Sequence, residues 1–425
     1  MKNTMKSILK KIKIPLLPRI IIAIVLGITF GQLLPLGAVR IFATFNSIFS
    51  NLLTFLIPLI IVGLVTPAIA DIGKSAGRLL LATVLIAYGD SVLSGFFSYF
   101  TSTAIFPSLI APTDSVATIG EAASVEPYFT INIPAMIDVM SALIFAFLTG
   151  LGIAYLGAKT LKQAANEFEK IIAKTISSVI IPMLPLYIFG IFLMMCHSGQ
   201  AYQILKTFIS IIGIIFAMHV VLLIVQYVIA GMITRRNPFK LLWKMLPAYF
   251  TALGTSSSAA TIPVTLNSCK NNGVTGGIAG FVVPLCATIH LSGSAMKITA
   301  CAVALMLMQG MPFDVGMFTG FILMLGIMMV AAPGVPGGAI MAALGVLQSI
   351  LGFNADQQAL MIALYITMDS FGTACNVTGD GAIALIIDKF FKRQTITPQD
   401  EEILEGLSDT QDIQLRKLKR NYNQQ

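Results

Sequence analysis

Five ionisable side chains lie inside or beside apolar stretches of this 425-residue chain: Asp90, His290, Lys297, Asp369 and Asp380. Ionisable groups at membrane depth are costly and commonly belong to a substrate or ion pathway. Asp369 and Asp380 are about three helical turns apart, which places them near one face of a continuous helix. Two such carboxylates need a positively charged partner. The pattern predicts a substrate ammonium or a metal ion there, and a buried salt bridge to Lys297 or His290 is the alternative.

Asn376 lies between the two carboxylates and offers both an amide donor and an acceptor oxygen. Hard cations prefer carboxylate and carbonyl oxygens as ligands. An unwound N-V-T-G-D segment at Asn376–Asp380 would expose such carbonyl oxygens to an ion. We therefore expect sodium, rather than a cofactor, to bind beside Asp380.

The composition excludes a soluble protein. Apolar residues make up 56% of the chain and charged residues only 11%, and the mean hydropathy is +0.87, whereas soluble domains carry about 25% charged residues. The net charge of +8 comes from basic residues at the ends of apolar stretches and does not indicate nucleic acid. The only enzyme-like pattern, S-A-M-K at Ser294–Lys297, has no accompanying K-T-G. The sequence predicts an integral membrane protein without catalytic residues.

Six apolar stretches are long enough to cross a bilayer as helices. They are residues 16–35, 43–69, 79–106, 134–158, 174–198 and 205–234. The N-terminus and the segments 159–174 and 235–244 are basic, whereas 79–158 contains no Lys or Arg. Because positively charged loops stay inside, we expect a multi-pass protein of the cell (inner) membrane with both ends, 1–15 and 392–425, in the cytoplasm.

The second half of the chain contains two broken apolar stretches, each followed by an interrupted helix. The stretch 241–264 is broken at Gly254–Ser258 and precedes an interruption at Thr288–Ser294, and 318–351 is broken at Ala331–Gly338 and precedes an interruption at Asp369–Asp380. Short broken segments at matching positions of a repeat indicate the binding site of a transporter.

Four motifs in this order resemble those of the dicarboxylate/amino acid:cation symporters, a family of glutamate transporters and neutral amino-acid exchangers. They are S-S-S-A-A-T-I-P at Ser256–Pro263, P-L-C-A-T-I-H at Pro284–His290, G-V-P-G at Gly334–Gly337 and N-V-T-G-D at Asn376–Asp380. The resemblance covers about residues 15–391. It implies an all-α membrane protein with six transmembrane helices, two re-entrant helical hairpins and two interrupted helices. It also implies a homotrimer of elevator transporters in which 240–391, with 79–106, moves as the binding core against a scaffold formed by the rest of 16–234.

Site residues follow from the resemblance position by position. Asp369 matches the residue that binds the substrate ammonium, and Asn376 the residue that holds the α-carboxylate. The other implied substrate residues are Thr373, Ser257, Ser258, Ser294, Gly334, Val335 and Gly372. The implied sodium ligands are Asp380, Asn376, Cys286, His290, Thr288, Ala332, Asp90 and Ser91.

Departures from the family pattern affect the expected substrate. Members that carry acidic substrates have an arginine where this chain has Gly372, and the other arginine positions are Ser256 and Ser370 here. A substrate side-chain carboxylate would be buried without a partner, which costs several kcal/mol. We therefore expect space beside Gly372 and a small neutral L-amino acid, such as threonine or serine, as the substrate. A larger neutral amino acid, an acidic amino acid or dicarboxylate, and a passive channel are the alternatives.

A second departure leaves the role of Asp90 open. The family has an aspartate where this chain has Ser292, while Asp90 lies beside Ser91, where the family has a threonine of the same cation site. Either Asp90 supplies the missing carboxylate to sodium, or it pairs with His290 or Lys297 and no cation binds.

Overall fold

A computed structural model of the chain describes residues 16–31, 33–72, 78–110, 125–197, 201–332 and 336–391. Both predicted cytoplasmic ends lie outside the described residues, and so do Gly334 and Val335. The described part of the chain is helical and contains no β-strand. An all-α membrane architecture is therefore confirmed.

The first half of the chain forms seven of the helices described here. They are α1 (Leu16–Gly31), α2 (Leu36–Ile72), α3 (Arg78–Ile105), α4 (Val139–Leu156), α5 (Lys159–Thr175), α6 (Ile181–His197) and α7 (Ala201–Thr234). A π-helical turn, Ile176–Ile180, joins α5 to α6 without a loop. Polar side chains mark helix ends, as at Asp138, which caps α4 by accepting a hydrogen bond from the backbone N–H of Ser141 at 3.0 Å. A short helix, α8 (Pro238–Trp243), follows α7.

Six helical segments among the described residues are long and apolar enough to cross a bilayer. They are Leu36–Ala70, Arg78–Ser108, Lys159–Met194, Ile209–Thr234, Gly276–Met308 and Asp369–Phe391. The predicted spans 16–35 and 134–158 contain the shorter helices α1 and α4 instead. The first ends at Gly31, ahead of Pro35, and the second begins only after the Asp138 cap. The last two of the six segments, Gly276–Met308 and Asp369–Phe391, belong to the second half of the chain.

The two broken stretches form helical hairpins. The first consists of α9 (Leu246–Thr255) and α10 (Ser258–Asn271), and the second of α13 (Val315–Ala331) and α14 (Gly338–Ser349). The two helices of each hairpin pack against each other. At the first tip Ser256 adopts a left-handed conformation with φ of 51°, and this residue turns the chain between the helices. That the hairpins enter the membrane without crossing it stays a prediction.

Each hairpin precedes an interrupted helix. The first has halves α11 (Gly276–Ile289) and α12 (Ser292–Met308), with a break at His290–Leu291 as predicted. The second has halves α15 (Ala355–Thr367) and α16 (Asp369–Phe391), with the break at Met368. The expected unwinding across Asn376–Asp380 is wrong, because α16 is helical through that segment.

The interrupted helices form the centre of the molecule. In their most apolar windows, 89% of the residues of Gly276–Met308 and 94% of those of Asp369–Phe391 are buried. Helix α3 packs along α12 and α13. The halves α12 and α16 cross closely at Gly293, where a Cβ in place of the glycine hydrogen would lie 2.7 Å from Cys375 Cβ and 2.9 Å from the backbone oxygen of Gly372.

This crossing predicts a specific sensitivity at position 293. Gly293→Ala is expected to destabilise the protein by about 1–3 kcal/mol, the usual cost of overpacking, because a methyl group there meets backbone that cannot yield. Gly89→Ala on α3 is the matched control, since a Cβ at Gly89 would meet no neighbouring atom within 4 Å. Thermal unfolding of the two detergent-solubilised variants measures the difference. Equal melting temperatures would contradict the close crossing.

Candidate functional site

A cavity of about 420 Å³ lies where the first hairpin tip meets the break between α15 and α16. This volume falls in the range of about 300–1,000 Å³ that small-molecule sites occupy. Its lining residues are Leu16, Pro18, Leu253, Gly254, Thr255, Ser256, Pro336, Ile366, Asp369 and Ser370. Asp369 is the only charged side chain among these described lining residues. The cavity therefore presents one carboxylate among hydroxyl and apolar groups.

Asp369 is the first residue of α16, and both of its carboxylate oxygens have partners. Oδ2 accepts a hydrogen bond from the backbone N–H of Gly337, beside the second hairpin tip, at 2.9 Å. Oδ1 lies 3.5 Å from Lys297 Nζ. The Asp369 carboxylate therefore contacts the second hairpin through Gly337 and the ammonium of Lys297, and it also lines the cavity.

The serines of the first hairpin tip have distinct roles. Ser256 and Ser370, which occupy the two alternative arginine positions of the resemblance, share a hydroxyl–hydroxyl hydrogen bond of 2.7 Å across the cavity. Ser257 accepts a hydrogen bond from the backbone N–H of Ala260 at 3.3 Å and caps α10. Ser258 is buried in the first turn of that helix. Of the predicted tip residues, neither Ser257 nor Ser258 is among the lining residues, whereas Ser256 is.

Asn376 joins α16 to the start of α12. Its Oδ1 accepts hydrogen bonds from the backbone N–H groups of Gly293 at 2.8 Å and Ser294 at 3.3 Å, while its Nδ2 donates to Ser294 Oγ at 3.1 Å. Thr373 is buried one turn earlier and donates to the Asp369 carbonyl oxygen. The structure thus brings the predicted residues Asn376 and Ser294 into contact, with the Asn376 amide engaged by a helix N-terminus.

Lys297 fills the space expected beside Gly372, and the expectation of open volume there is wrong. Lys297 is fully buried, and its Nζ would lie 2.8 Å from a Cβ at position 372. The ammonium sits 3.4 Å from the centre of the Tyr365 ring and 3.4 Å from the carbonyl oxygens of Tyr365 and Met368. Ring faces and carbonyl oxygens both stabilise a cation. A lysine on α12 therefore places a positive charge next to the position of the missing arginine.

The other two carboxylates form a cluster with His290. Its Nδ1 lies 2.8 Å from Asp380 Oδ1 and its Nε2 lies 2.7 Å from Asp90 Oδ2. Gln226 on α7 donates from Nε2 to Asp90 Oδ2 at 2.6 Å and to Ser292 Oγ at 3.0 Å. Asp90 was expected either to bind sodium or to pair with His290 or Lys297. The observed contact of Asp90 is with His290. The salt-bridge alternative for the buried carboxylates thus describes the observed contacts.

The remaining predicted cation ligands belong to α3, α11 and the end of α13. The Cys286 carbonyl accepts the backbone N–H of His290 at 2.9 Å, and Thr288 donates to the Leu285 carbonyl. Ser91 is buried and its hydroxyl has no hydrogen-bond partner. Ala332 ends α13 directly before the segment outside the described residues. Within the described ranges, no group of three His, Cys, Asp or Glu side chains is arranged to hold a metal ion.

Two residues of the site were not among the predictions. Gln226 could have been identified from the sequence, because a glutamine within the apolar run of α7 is an unusual polar group at membrane depth. Tyr365 gave no such signal. It contributes its ring to Lys297 and its hydroxyl to Ser294 at 3.0 Å, contacts that depend on how α15 meets α12.

The sequence of the chain is similar to those of known transport proteins. Residues 16–390 match the profile of the sodium:dicarboxylate symporter family. The serine/threonine transporter SstT of Acinetobacter baylyi is 27% identical over 408 residues, which cover 90% of this chain and 98% of the relative. Excitatory amino acid transporter 2 of Mus musculus is 26% identical over 267 residues, covering 60% of this chain and 45% of that protein. The chain belongs to the sodium:dicarboxylate symporter family.

Proposed function

We propose that the protein is a sodium-coupled symporter of a small neutral L-amino acid such as serine or threonine. The observation that carries this proposal is the lone carboxylate of Asp369 in a cavity whose other described lining groups are hydroxyl or apolar. An amino-acid ammonium can pair with Asp369, and the substrate hydroxyl can exchange hydrogen bonds with Ser256 and Ser370. Similarity along nearly the whole length of a serine/threonine transporter supports the same substrate class.

An acidic substrate is the second candidate, and Lys297 is the observation that favours it. Its ammonium lies 3.5 Å from Asp369, close enough to attract a substrate carboxylate. Lys297 is nevertheless fully buried and is not part of the cavity lining. A glutamate side chain would reach it only if Asp369 or Gly372 moved aside. The neutral substrate fits the cavity without such a change.

The coupling sodium is assigned to the region of Thr288 and Ala332, where backbone carbonyl oxygens near the second hairpin tip can serve as ligands. Alternating access follows an elevator movement of residues 240–391, together with 79–106, against the remaining helices in a homotrimer. The proposed location is the cell membrane, with both chain ends in the cytoplasm. Cysteine accessibility from each side of sealed vesicles checks this orientation.

Uptake by proteoliposomes tests the function directly. With an inward sodium gradient, radiolabelled L-serine or L-threonine is expected to accumulate, and replacing sodium by choline is expected to abolish accumulation. Unlabelled alanine should compete, whereas glutamate and aspartate should not, because the cavity offers their side chains no exposed cation. Competition by glutamate equal to that by serine would overturn the neutral assignment.

Counterflow separates a carrier from a channel. Vesicles preloaded with unlabelled substrate are expected to accumulate labelled substrate transiently even without a sodium gradient, because a carrier exchanges one molecule for another. A pore equilibrates label without such an overshoot. Empty vesicles and vesicles with the Asp369→Asn variant serve as controls.

A further inference from the structure

His290 lies directly between two carboxylates, the buried Asp380 and the partly exposed Asp90. The residue sits at the break between α11 and α12, and its side chain is fully buried. The separations from Asp380 and Asp90, 2.8 and 2.7 Å, are those of charge-assisted hydrogen bonds. Ionised carboxylates only accept hydrogen bonds, and an imidazole donates from both nitrogens only as its cation. If both carboxylates are ionised, the ring between Asp90 and Asp380 must therefore be the imidazolium cation.

The surroundings hold the ring in this position. A Cβ at Gly379 would lie 2.8 Å from His290 Cε1, so the backbone of α16 closes one side of the ring. Gln226 fixes Asp90 from α7 and connects it to Ser292. Helices α3 and α16 thus contact the ring directly, and α7 is connected to it through Asp90. A metal ion in the position of the ring would have to displace it and break both of its hydrogen bonds.

The charges of the core agree with this arrangement. These ion pairs join three carboxylates, Asp90, Asp369 and Asp380, to two basic side chains, His290 and Lys297. His219, which is also buried on α7, lies 3.3 Å from the Gly293 carbonyl oxygen instead. The protein thus neutralises most of its buried negative charge with its own residues. With His290 protonated, these three carboxylates and two basic side chains leave one negative charge for a further cation.

We propose that His290 is a resident cation that takes the place of a coupling sodium ion at the Asp90–Asp380 pair. This inference rests on the proposed sodium coupling and deepens it, because it leaves the backbone-lined region near Thr288 as the sodium site. The carboxylate pair then holds α3 to α16 in both the sodium-loaded and sodium-free protein. Sodium bound elsewhere drives transport.

Histidine NMR on the wild-type protein tests the proposal without requiring transport. The chain has three histidines, so ¹⁵N-histidine labelling, with His197→Gln and His219→Gln proteins for assignment, isolates the His290 signals. Both ring nitrogens are expected to carry protons, and their shifts should be the same in sodium chloride and in choline chloride of equal ionic strength. A His290 signal that sodium converts to that of a ring without carboxylate partners would overturn the proposal.

Replacing the ring is expected to create a sodium site. In His290→Asn the two carboxylates lose their cation, so sodium should raise the melting temperature of the variant more than that of the wild type, without added amino acid. The double variant His290→Asn/Asp380→Asn has one carboxylate fewer and should lose this gain. A sodium-induced shift no larger in His290→Asn than in the wild type would contradict the proposal.

A failure of the His290 proposal can be distinguished from a failure of the proposed transport function. If no condition supports serine or threonine uptake, the NMR and melting experiments still report whether His290 or sodium occupies the carboxylate pair. If His290→Asn does not fold, the wild-type NMR comparison decides alone.

Discussion

Asparagine at position 369 is expected to lower the affinity for serine or threonine by about 10- to 150-fold. The substrate ammonium would lose a charge-assisted hydrogen bond, which contributes about 1.5–3 kcal/mol, and each 1.4 kcal/mol is about tenfold in affinity. The asparagine oxygen can still accept a hydrogen bond from the Gly337 N–H, so the contact with the second hairpin is expected to persist. Calorimetric titration of the purified variant measures the affinity. Binding equal to that of the wild type would exclude Asp369 as the ammonium partner.

A control separates lost binding from lost folding. Removing the Asp369 charge leaves the fully buried Lys297 ammonium without its counter-ion, and breaking a buried pair costs about 3–5 kcal/mol. The double variant Asp369→Asn/Lys297→Met removes both charges. It is expected to regain much of the lost stability in thermal unfolding while still failing to bind the amino acid. Recovery of binding together with stability would mean that Asp369 acts only through the fold.

The helices of this protein could be predicted because their physical cause lies in local composition. Long apolar runs with few charges indicated membrane helices, and most described spans coincide with them. Helix ends were less predictable. The stretch predicted as 43–69 belongs to the longer α2, Leu36–Ile72, which includes Arg40 ahead of the predicted stretch. Polar residues extend a helix when tertiary contacts satisfy them, and Arg40 Nε donates a hydrogen bond to the Glu126 carbonyl oxygen at 3.0 Å.

The polar segment N-V-T-G-D at Asn376–Asp380 was expected to interrupt the helix, and it does not. Glycine also weakens helices when nothing packs against it. In the structure these glycines permit close packing of a regular helix. A Cβ at Gly379 would meet the His290 ring, and one at Gly381 would lie 2.6 Å from Met245 Cε and 2.7 Å from Tyr227 Oη. Sequence alone cannot separate a glycine that breaks a helix from one that admits a neighbour.

The sequence predicted which residues belong to the candidate site, but it did not predict which of them contact each other. The five residues that form these ion pairs were identified from their rarity in apolar stretches, whereas His219, which is buried on α7, was not. Which carboxylate faces which cation depends on how α3, α12 and α16 pack, and this information is absent from local patterns. The alternatives for Asp90 therefore stayed open until the 2.7 Å contact to His290 was seen. For the same reason Gly372 indicated an open space that Lys297 occupies.

Removal of the Lys297 charge is the second change with a large expected effect, and its two consequences have opposite signs. Lys297→Met leaves Asp369 as a buried carboxylate without a cation, so the empty protein should lose about 3–5 kcal/mol of stability. Methionine has a similar length and an adaptable thioether, so the apolar part of the lysine contact is largely retained. The Tyr365 ring should therefore keep a packing partner.

Substrate binding should respond in the other direction. In the wild-type protein the substrate ammonium meets a carboxylate that already has a cation 3.5 Å away. In Lys297→Met the ammonium is the only cation available, so binding relieves an uncompensated charge. Serine or threonine is then expected to raise the melting temperature of the variant by more than it raises that of the wild type. Sodium coupling is not required for this measurement.

Gly372→Ala offers an independent check, because it perturbs Lys297 without removing it. The new methyl group would lie 2.8 Å from Lys297 Nζ, so the ammonium must shift and its 3.5 Å contact with Asp369 is expected to weaken. The variant should show a weaker form of the same pair of effects, and adding it to Lys297→Met should change little, because the atom that it displaces is already gone. Full additivity of the two substitutions in a double-mutant cycle would contradict the contact. A smaller substrate-induced shift in Lys297→Met than in the wild type would instead make Lys297 a direct partner of the substrate's α-carboxylate.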